Sequence, residues 1–272
     1  MRDDTRRLIL LLLPAGIFFA AFFLLPMVQL FFIGGSGNTG WAAYAAILTN
    51  ANYFSSLVAT LGVAAATTVA TLLISGISGV FLQRHKFPGN AALVAMLTFP
   101  LAFPGVVIGF MIIMLAGRQG LIGQISEAIT GDKVVFAYSM AGLFLGYVYF
   151  SVPRTILTVM AAAEKLDPKL EEAARSLGAS PWRVVLDVII PGLKPAFISA
   201  GAICFATAVG AFGTAFTLAT RINVLPMVIY TEFTLSANIA MAAALSFVLG
   251  AVTWIVLAVA RTAAGSTVAA AG

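Results

Sequence analysis

The stretch Ala161–Pro195, AAAEKLDPKLEEAARSLGASPWRVVLDVIIPGLKP, gathers charged residues between long apolar segments of this 272-residue chain. Asp167 followed by Pro168 predicts a helix start, because an aspartate side chain accepts hydrogen bonds from free N–H groups and proline fits the first turn. Gly178 predicts the end of that helix, since glycine readily adopts the left-handed conformation found after helix ends.

A second short helix is expected directly after this glycine. Ser180 and Pro181 repeat the start signal, and we expect the helix to cover Trp182–Ile190 and to end at Pro191. The pattern therefore predicts a hairpin of two short helices with a sharp elbow at Gly178.

Long apolar segments lie on both sides of this hairpin. Six windows contain no Asp, Glu, Lys or Arg: Leu8–Ile33, Tyr53–Leu82, Ala91–Gly117, Val134–Pro153, Pro195–Thr220 and Ile239–Ala260. Each can cross a hydrocarbon core of about 30 Å, which takes about 20 helical residues. With 61% apolar and 9% charged residues, the chain is not an ordinary soluble domain. The sequence predicts an all-α membrane protein with six transmembrane helices, forming one domain over residues 1–272.

The basic residues give the orientation, because Lys and Arg concentrate in cytoplasmic loops. With a cytoplasmic N-terminus, every Lys and Arg except Arg118, Lys133 and Arg221 lies inside. Both termini and the loop 161–191 are then cytoplasmic, and the net charge of +5 needs no nucleic-acid partner. The small-residue tail 262–272 is expected to be disordered.

Two prolines interrupt the third segment. Pro100 and Pro104 each remove an intrahelical hydrogen bond, which membrane helices tolerate when neighbouring groups satisfy the freed carbonyls. Glycines four residues apart also allow close helix approach in the pairs Gly105/Gly109 and Gly142/Gly146. Two interpretations remain open: generic helix packing, or a moving pathway lined by kinked helices. Tyr147 and Tyr149 likewise either pack or offer aromatic faces to a cationic solute.

Catalytic and energy-coupling motifs are absent from the sequence. A phosphate-binding loop needs a lysine after a glycine, and no lysine here follows one, so the chain does not hydrolyse ATP. We expect no catalytic, cofactor or metal site and no enzyme activity. The six windows also hold no ionised side chain, which argues against a proton-coupled transporter or a charge-selective channel.

The hairpin residues carry a resemblance to a known family. Glu172–Ala174, Gly178, Val188, Ile190 and Pro191 resemble the EAA signature of binding-protein-dependent ABC transporter permeases, E-A-A, three residues, G, nine residues, then I-x-L-P. Val188 and Ile190 replace the usual Ile and Leu, and both are conservative apolar exchanges. The six segments, with this loop between the fourth and fifth, resemble a whole permease subunit.

This resemblance implies a type I ABC importer permease (MetI-like) fold in the bacterial inner membrane. It implies that a separate ATPase subunit, which binds the ATP, docks on Glu172, Ala173, Ala174 and Gly178. Further implied partners are a second permease subunit, identical or different, and a periplasmic solute-binding protein. The C-terminal half is similar to the spermidine/putrescine branch, which implies a polyamine substrate, with 2-aminoethylphosphonate, ferric iron or sulfate as other substrates. The alternative function is a channel or secondary transporter that works without an ATPase.

Overall fold

A computed structural model describes residues 2–37, 40–218 and 222–264, and these residues form helices and connecting turns without a strand. The α-helices are α1 (Arg2–Phe19), α2 (Leu25–Gly34), α3 (Ala42–Thr49), α4 (Ala51–Arg84), α5 (Asn90–Thr98), α6 (Gly105–Ala116), α7 (Leu121–Thr130), α8 (Met140–Lys165), α9 (Pro168–Ser176), α10 (Pro181–Val184), α11 (Ile190–Val209), α12 (Phe212–Leu218), α13 (Leu225–Thr234) and α14 (Ile239–Ala264). π-Helical turns join α1 to α2 and α10 to α11, and a 3₁₀ turn follows α5.

Six helical segments of the described chain are long and apolar enough to cross a membrane. They are Leu11–Gly34, Ala51–Arg84, Gly105–Thr130, Met140–Lys165, Pro181–Val209 and Ile239–Ala263. The prediction of an all-α protein with six transmembrane helices is therefore confirmed. The cytoplasmic location of the termini stays a prediction.

The third span differs from the expected window Ala91–Gly117. Helix α5 passes into a 3₁₀ turn at Phe99–Ala102, and the backbone is extended at Phe103 and Pro104 before α6 begins. Because Pro100 and Pro104 have no N–H to donate, the α-helical ladder stops here and restarts at Gly105. The prolines therefore divide the segment rather than kink it, and the long apolar span begins after them.

The fourth and fifth spans also begin and end away from the expected positions. Helix α8 begins where the Ser139 side chain accepts a hydrogen bond from Gly142 N, and it continues through Pro153 to Lys165 instead of ending at Pro153. The first residues of the expected loop 161–191 are therefore helical. The fifth span begins early, at Pro181, and ends at Val209. Thr220, the expected end of that window, lies outside the described residues.

Contacts between residues group the chain into two compact units. One comprises residues Met1–Leu57 and Val228–Ala251, and the other comprises Val58–Met227 and Val252–Gly272. The expectation of one domain is left as a prediction. Helix α14 continues to Ala264, so residues 262–264 are helical rather than a disordered tail; the rest of that tail lies outside the described residues.

The smaller unit contains a cluster of aromatic rings. Phe31 lies 5.1 Å from Trp41, 5.6 Å from Tyr44 and 5.1 Å from Phe247, measured between ring centroids. The Tyr44 hydroxyl donates to the Phe31 carbonyl at 2.8 Å, and burial raises the pKa of Tyr44. These contacts fix α3 beside α2 within this unit.

In the larger unit, glycines allow α6 and α12 to pack closely. The Thr214 hydroxyl donates to the Gly105 carbonyl at 3.0 Å, and a Cβ built on Gly109 would lie 2.5 Å from Thr217 Cβ. A Cβ built on Gly146 of α8 would lie 2.9 Å from the Thr214 methyl group. Gly105, Gly109 and Gly146 therefore serve helix packing, the first of the two open interpretations.

Candidate functional site

The structure contains the first half of the hairpin predicted from the sequence, namely α9 and the elbow at Gly178. The Asp167 side chain accepts a hydrogen bond from Lys169 N at 3.0 Å and starts α9. After α9, Gly178 has φ +83°, and its N–H donates to Arg175 O at 2.9 Å. Glycine has no Cβ to clash in this left-handed conformation, so it forms the elbow without steric cost.

The second half of the hairpin differs from the prediction. Ser180 starts α10, but the helix does not end at Pro191. It continues through a π-helical turn at Val185–Ile189 into α11. Pro191 lies just after this π-helical turn and has no N–H to donate, so one hydrogen bond of the continuous helix is not made there. The hairpin is therefore continuous with the fifth span.

The candidate docking residues lie at the exposed elbow. Glu172, Ala173 and Gly178 are exposed, and Ala174 is half-buried. Leu177, which the sequence analysis did not select, is 89% exposed beside the glycine. Burying this side chain against another protein would contribute about 1.5–3 kcal/mol.

An ion pair fixes the hairpin to the end of α4. Arg84 Nη2 lies 2.7 Å from Glu171 Oε1, and the two side chains are only 20% and 13% exposed. Arg84 also donates to the Leu166 carbonyl at 3.1 Å, at the junction between α8 and α9. Arg175 lies 3.9 Å from the other Glu171 oxygen. Arg84 was expected on the inner side with most other basic residues, and no local sequence signal linked it to Glu171.

The candidate pathway residues occupy different environments. Pro100 is buried, and Pro104 is exposed at the start of α6. Tyr147 is buried and its hydroxyl donates to the Ala211 carbonyl at 2.6 Å, whereas Tyr149 is 39% exposed. The buried ring and occupied hydroxyl of Tyr147 favour packing over a contact with a cation.

A polar recess lies between α8 and α11. The recess is shallow, with about 20 Å³ of interior space, which is room for about one water molecule. Its polar lining is Ser151, Arg154, Thr155, Thr158, Cys204 and Thr207. The charge-free window ended at Pro153, but α8 continues to Lys165, so Arg154 lies within the candidate membrane span Met140–Lys165. Within the described residues, no group of three or more His, Cys, Asp or Glu is placed to hold a metal ion.

Residues 72–264, which include the hairpin and the recess, match the family described as "Binding-protein-dependent transport system inner membrane component". The chain belongs to this family. With its six apolar spans, this inner-membrane component is a multi-pass inner-membrane protein. Its relatives are permease subunits of transport systems, not enzymes.

Similar proteins are named as permeases of molybdenum, sulfate and 2-aminoethylphosphonate transport systems. The molybdenum transport system permease protein ModB of Escherichia coli K12 is 35% identical over 154 residues, which is 55% of this chain and 66%, just under two thirds, of ModB. The sulfate transport system permease protein CysT of the same strain is 28% identical, covering 76% of this chain and 73% of CysT. The putative 2-aminoethylphosphonate transport system permease protein PhnU of Salmonella typhimurium is 27% identical, covering 90% of this chain and 88% of PhnU.

Solved structures share the fold of this inner-membrane component. A chain of a bacterial ABC transporter involved in alginate import superposes with a TM-score of 0.78 at 16% identity, covering 97% of both chains. A chain from a bacterial alginate ABC transporter in complex with its alginate-pentasaccharide-bound periplasmic protein gives the same TM-score at 17% identity, covering 95% of this chain. At these identities the likeness shows the fold alone.

Proposed function

We propose that this chain is one permease subunit of an ATP-driven ABC importer and forms half of the path for a small solute. The observation that carries this proposal is the elbow at Gly178, which presents Leu177 to solvent. A docked ATPase would bury this leucine, which would stabilise the complex by about 1.5–3 kcal/mol.

The contacts of the hairpin suit it to transmit force. Its outer surface carries small or exposed residues, namely Glu172, Ala173 and Gly178, that allow a partner to approach closely. Glu171 anchors its inner surface to α4 through Arg84. An ATPase that binds ATP and moves the elbow would therefore move membrane helices.

Other partners follow from this role. Six spans form half of a pathway, so a second permease subunit, identical or different, completes it, and a periplasmic binding protein delivers the solute. ATP-driven closure of the ATPases would draw two such hairpins together and open the path outward. This arrangement needs the hairpin and both termini in the cytoplasm.

The substrate we propose is an oxyanion such as molybdate, sulfate or a phosphonate. Relatives named for all three are similar to this chain. Sulfate and 2-aminoethylphosphonate were already among the substrates implied by the sequence resemblance. The polyamine substrate implied by the spermidine/putrescine branch is unconfirmed, and none of the relatives described above is named for it.

The ATPase-independent channel or secondary transporter is less well supported. Arg154 lies within the candidate span Met140–Lys165, where a transporter of this kind could use a charge. Neither alternative, however, gives the exposed elbow a binding partner. The family match, over residues 72–264, also favours the importer.

The test is whether the ATPase binds the elbow. We expect Leu177→Ala to reduce co-purification of the cognate ATPase about tenfold or more, because interface hot spots contribute about 2 kcal/mol or more. Leu121→Ala is the matched control, since Leu121 is also exposed, at 60%, but begins α7 on the expected outer side. Equal ATPase recovery with both variants would rule out docking at the elbow.

A further inference from the structure

We propose that Arg154 and the recess around it form an oxyanion subsite on the translocation path, an inference that rests on the proposed importer function. The recess lies between α8 and α11, and among the residues that the structure describes no carboxylate lines it. Arg154 therefore gives the recess an uncompensated positive charge.

Arg154 lies well inside the candidate membrane span Met140–Lys165, where a charged side chain that faces lipid is energetically unfavourable. From Arg154 to Lys165 the helix runs about 16 Å at about 1.5 Å per residue. Ser75 of α4 donates to the Val152 carbonyl at 3.3 Å, so this part of α8 lies beside Ser75. Arg84 ends α4 about 14 Å further along the helix axis. An arginine this far from the basic end of the helix costs several kcal/mol in lipid, so such residues usually face a watery cavity and mark a substrate path.

Three hydroxyls of the recess are already hydrogen-bonded, and Arg154 supplies its positively charged donor. The hydroxyls of Thr155, Thr158 and Thr207 donate to main-chain carbonyls of their own helices, at 3.0, 3.0 and 2.7 Å. In the described part of the chain, the Arg154 guanidinium has no ion-pair or hydrogen-bond partner. Its N–H groups form a planar fork that can bind two oxygens of one anion, while the hydroxyl oxygens keep the wall polar.

A weak contact of this kind between Arg154 and an anion suits a translocation path better than a tight binding site would. A path must hold its solute weakly enough to release it. One guanidinium beside hydroxyls that are already hydrogen-bonded attracts an anion without enclosing it. The same charge repels a polyamine, so the subsite would also select against cations.

Cysteine modification tests the subsite without requiring the transported substrate. In the assembled complex, Thr158→Cys with Cys204→Ser places one thiol of this chain in the recess. Its modification rates are compared for anionic sulfonatoethyl and cationic trimethylammonioethyl methanethiosulfonate. We expect Arg154→Gln to lower the anionic-to-cationic rate ratio about tenfold, since a charge a few ångströms away changes local concentration by about that factor. Sulfate at millimolar concentration should slow modification by neutral methyl methanethiosulfonate only when Arg154 is present.

Two variants separate the charge at this site from charge elsewhere. Arg154→Lys should preserve most of the rate ratio. Lys86→Gln removes an equal charge from an exposed position after α4 and should leave the ratio unchanged. If Arg154→Gln changes neither the ratio nor the sulfate effect, Arg154 serves lipid headgroups or a partner's carboxylate, and the subsite is overturned. Such a result in a complex that retains its ATPase leaves the importer function intact, whereas loss of docking is detected separately by the Leu177 test.

Discussion

The ion pair between Arg84 and Glu171 should make the largest single contribution to holding the hairpin in place. Both side chains are mostly shielded from water, and their atoms lie 2.7 Å apart. Glu171→Gln removes the negative charge but not the volume, and leaves Arg84 without its counter-ion. We expect a loss of about 1–3 kcal/mol in stability. Thermal unfolding of the purified subunit measures this loss.

The neighbouring glutamate provides the control for that experiment. Glu172 is exposed and has no ion pair in the described structure, so Glu172→Gln should leave the unfolding temperature nearly unchanged. The double variant Arg84→Glu with Glu171→Arg should recover part of the loss. Equal destabilisation by Glu171→Gln and Glu172→Gln would contradict the anchoring role of Glu171.

Local sequence signals predicted some residues well and others poorly. Asp167 and Gly178 were predictable because caps and left-handed turns depend on one residue and its immediate neighbours. The Arg84–Glu171 pair was not, since it joins residues far apart in the sequence. The end of α8 was predicted too early, at Pro153, because the charge of Arg154 was taken as the end of a span, although a helix continues through a charge whenever its backbone hydrogen bonds persist.

Replacing glycine with alanine should change stability in opposite directions at the hairpin elbow, Gly178, and inside a helix, Gly62. Gly178 has φ +83° with open space around it, so Gly178→Ala should destabilise the hairpin by about 1 kcal/mol through backbone strain alone. Gly62 also has open space but lies within α4, where alanine is favoured by about 0.5–1 kcal/mol. Unfolding temperatures should therefore move down for Gly178→Ala and up for Gly62→Ala. A rise in unfolding temperature for both variants would show that alanine at position 178 causes no backbone strain.

Helices α6 and α12 pack so closely that one added methyl group between them should lower the stability of the protein. A Cβ on Gly109 would come within 2.5 Å of Thr217 Cβ, so Gly109→Ala should cost about 1–3 kcal/mol by overpacking. Moving the glycine to the facing helix, as Gly109→Ala with Thr217→Gly, should recover part of the loss in thermal unfolding. If the double variant is less stable than Gly109→Ala alone, the close approach is not what limits stability.

Apolar windows located the helices but not their ends. The existence of six spans follows from composition, because each window is long enough to cross the membrane. The division at Pro104 and the extension of α8 to Lys165 depend on which backbone hydrogen bonds survive, and charge-free windows do not report these. The loop 161–191 was consequently predicted as a separate hairpin of two short helices, although α8 and the α10–α11 helix enter it from both sides.

The orientation of the whole chain decides whether the hairpin and an ATPase can meet. In a Cys204→Ser background, Lys86→Cys lies on the expected cytoplasmic side and Asp132→Cys on the expected outer side, and both positions are exposed. In intact spheroplasts, a membrane-impermeant maleimide should label Asp132→Cys at once and Lys86→Cys only after permeabilisation. The basic-residue distribution predicts this pattern, because translocating Lys and Arg across the membrane is disfavoured. The reverse pattern would place Arg84, and with it the anchored hairpin, outside the cell, where no ATPase could dock.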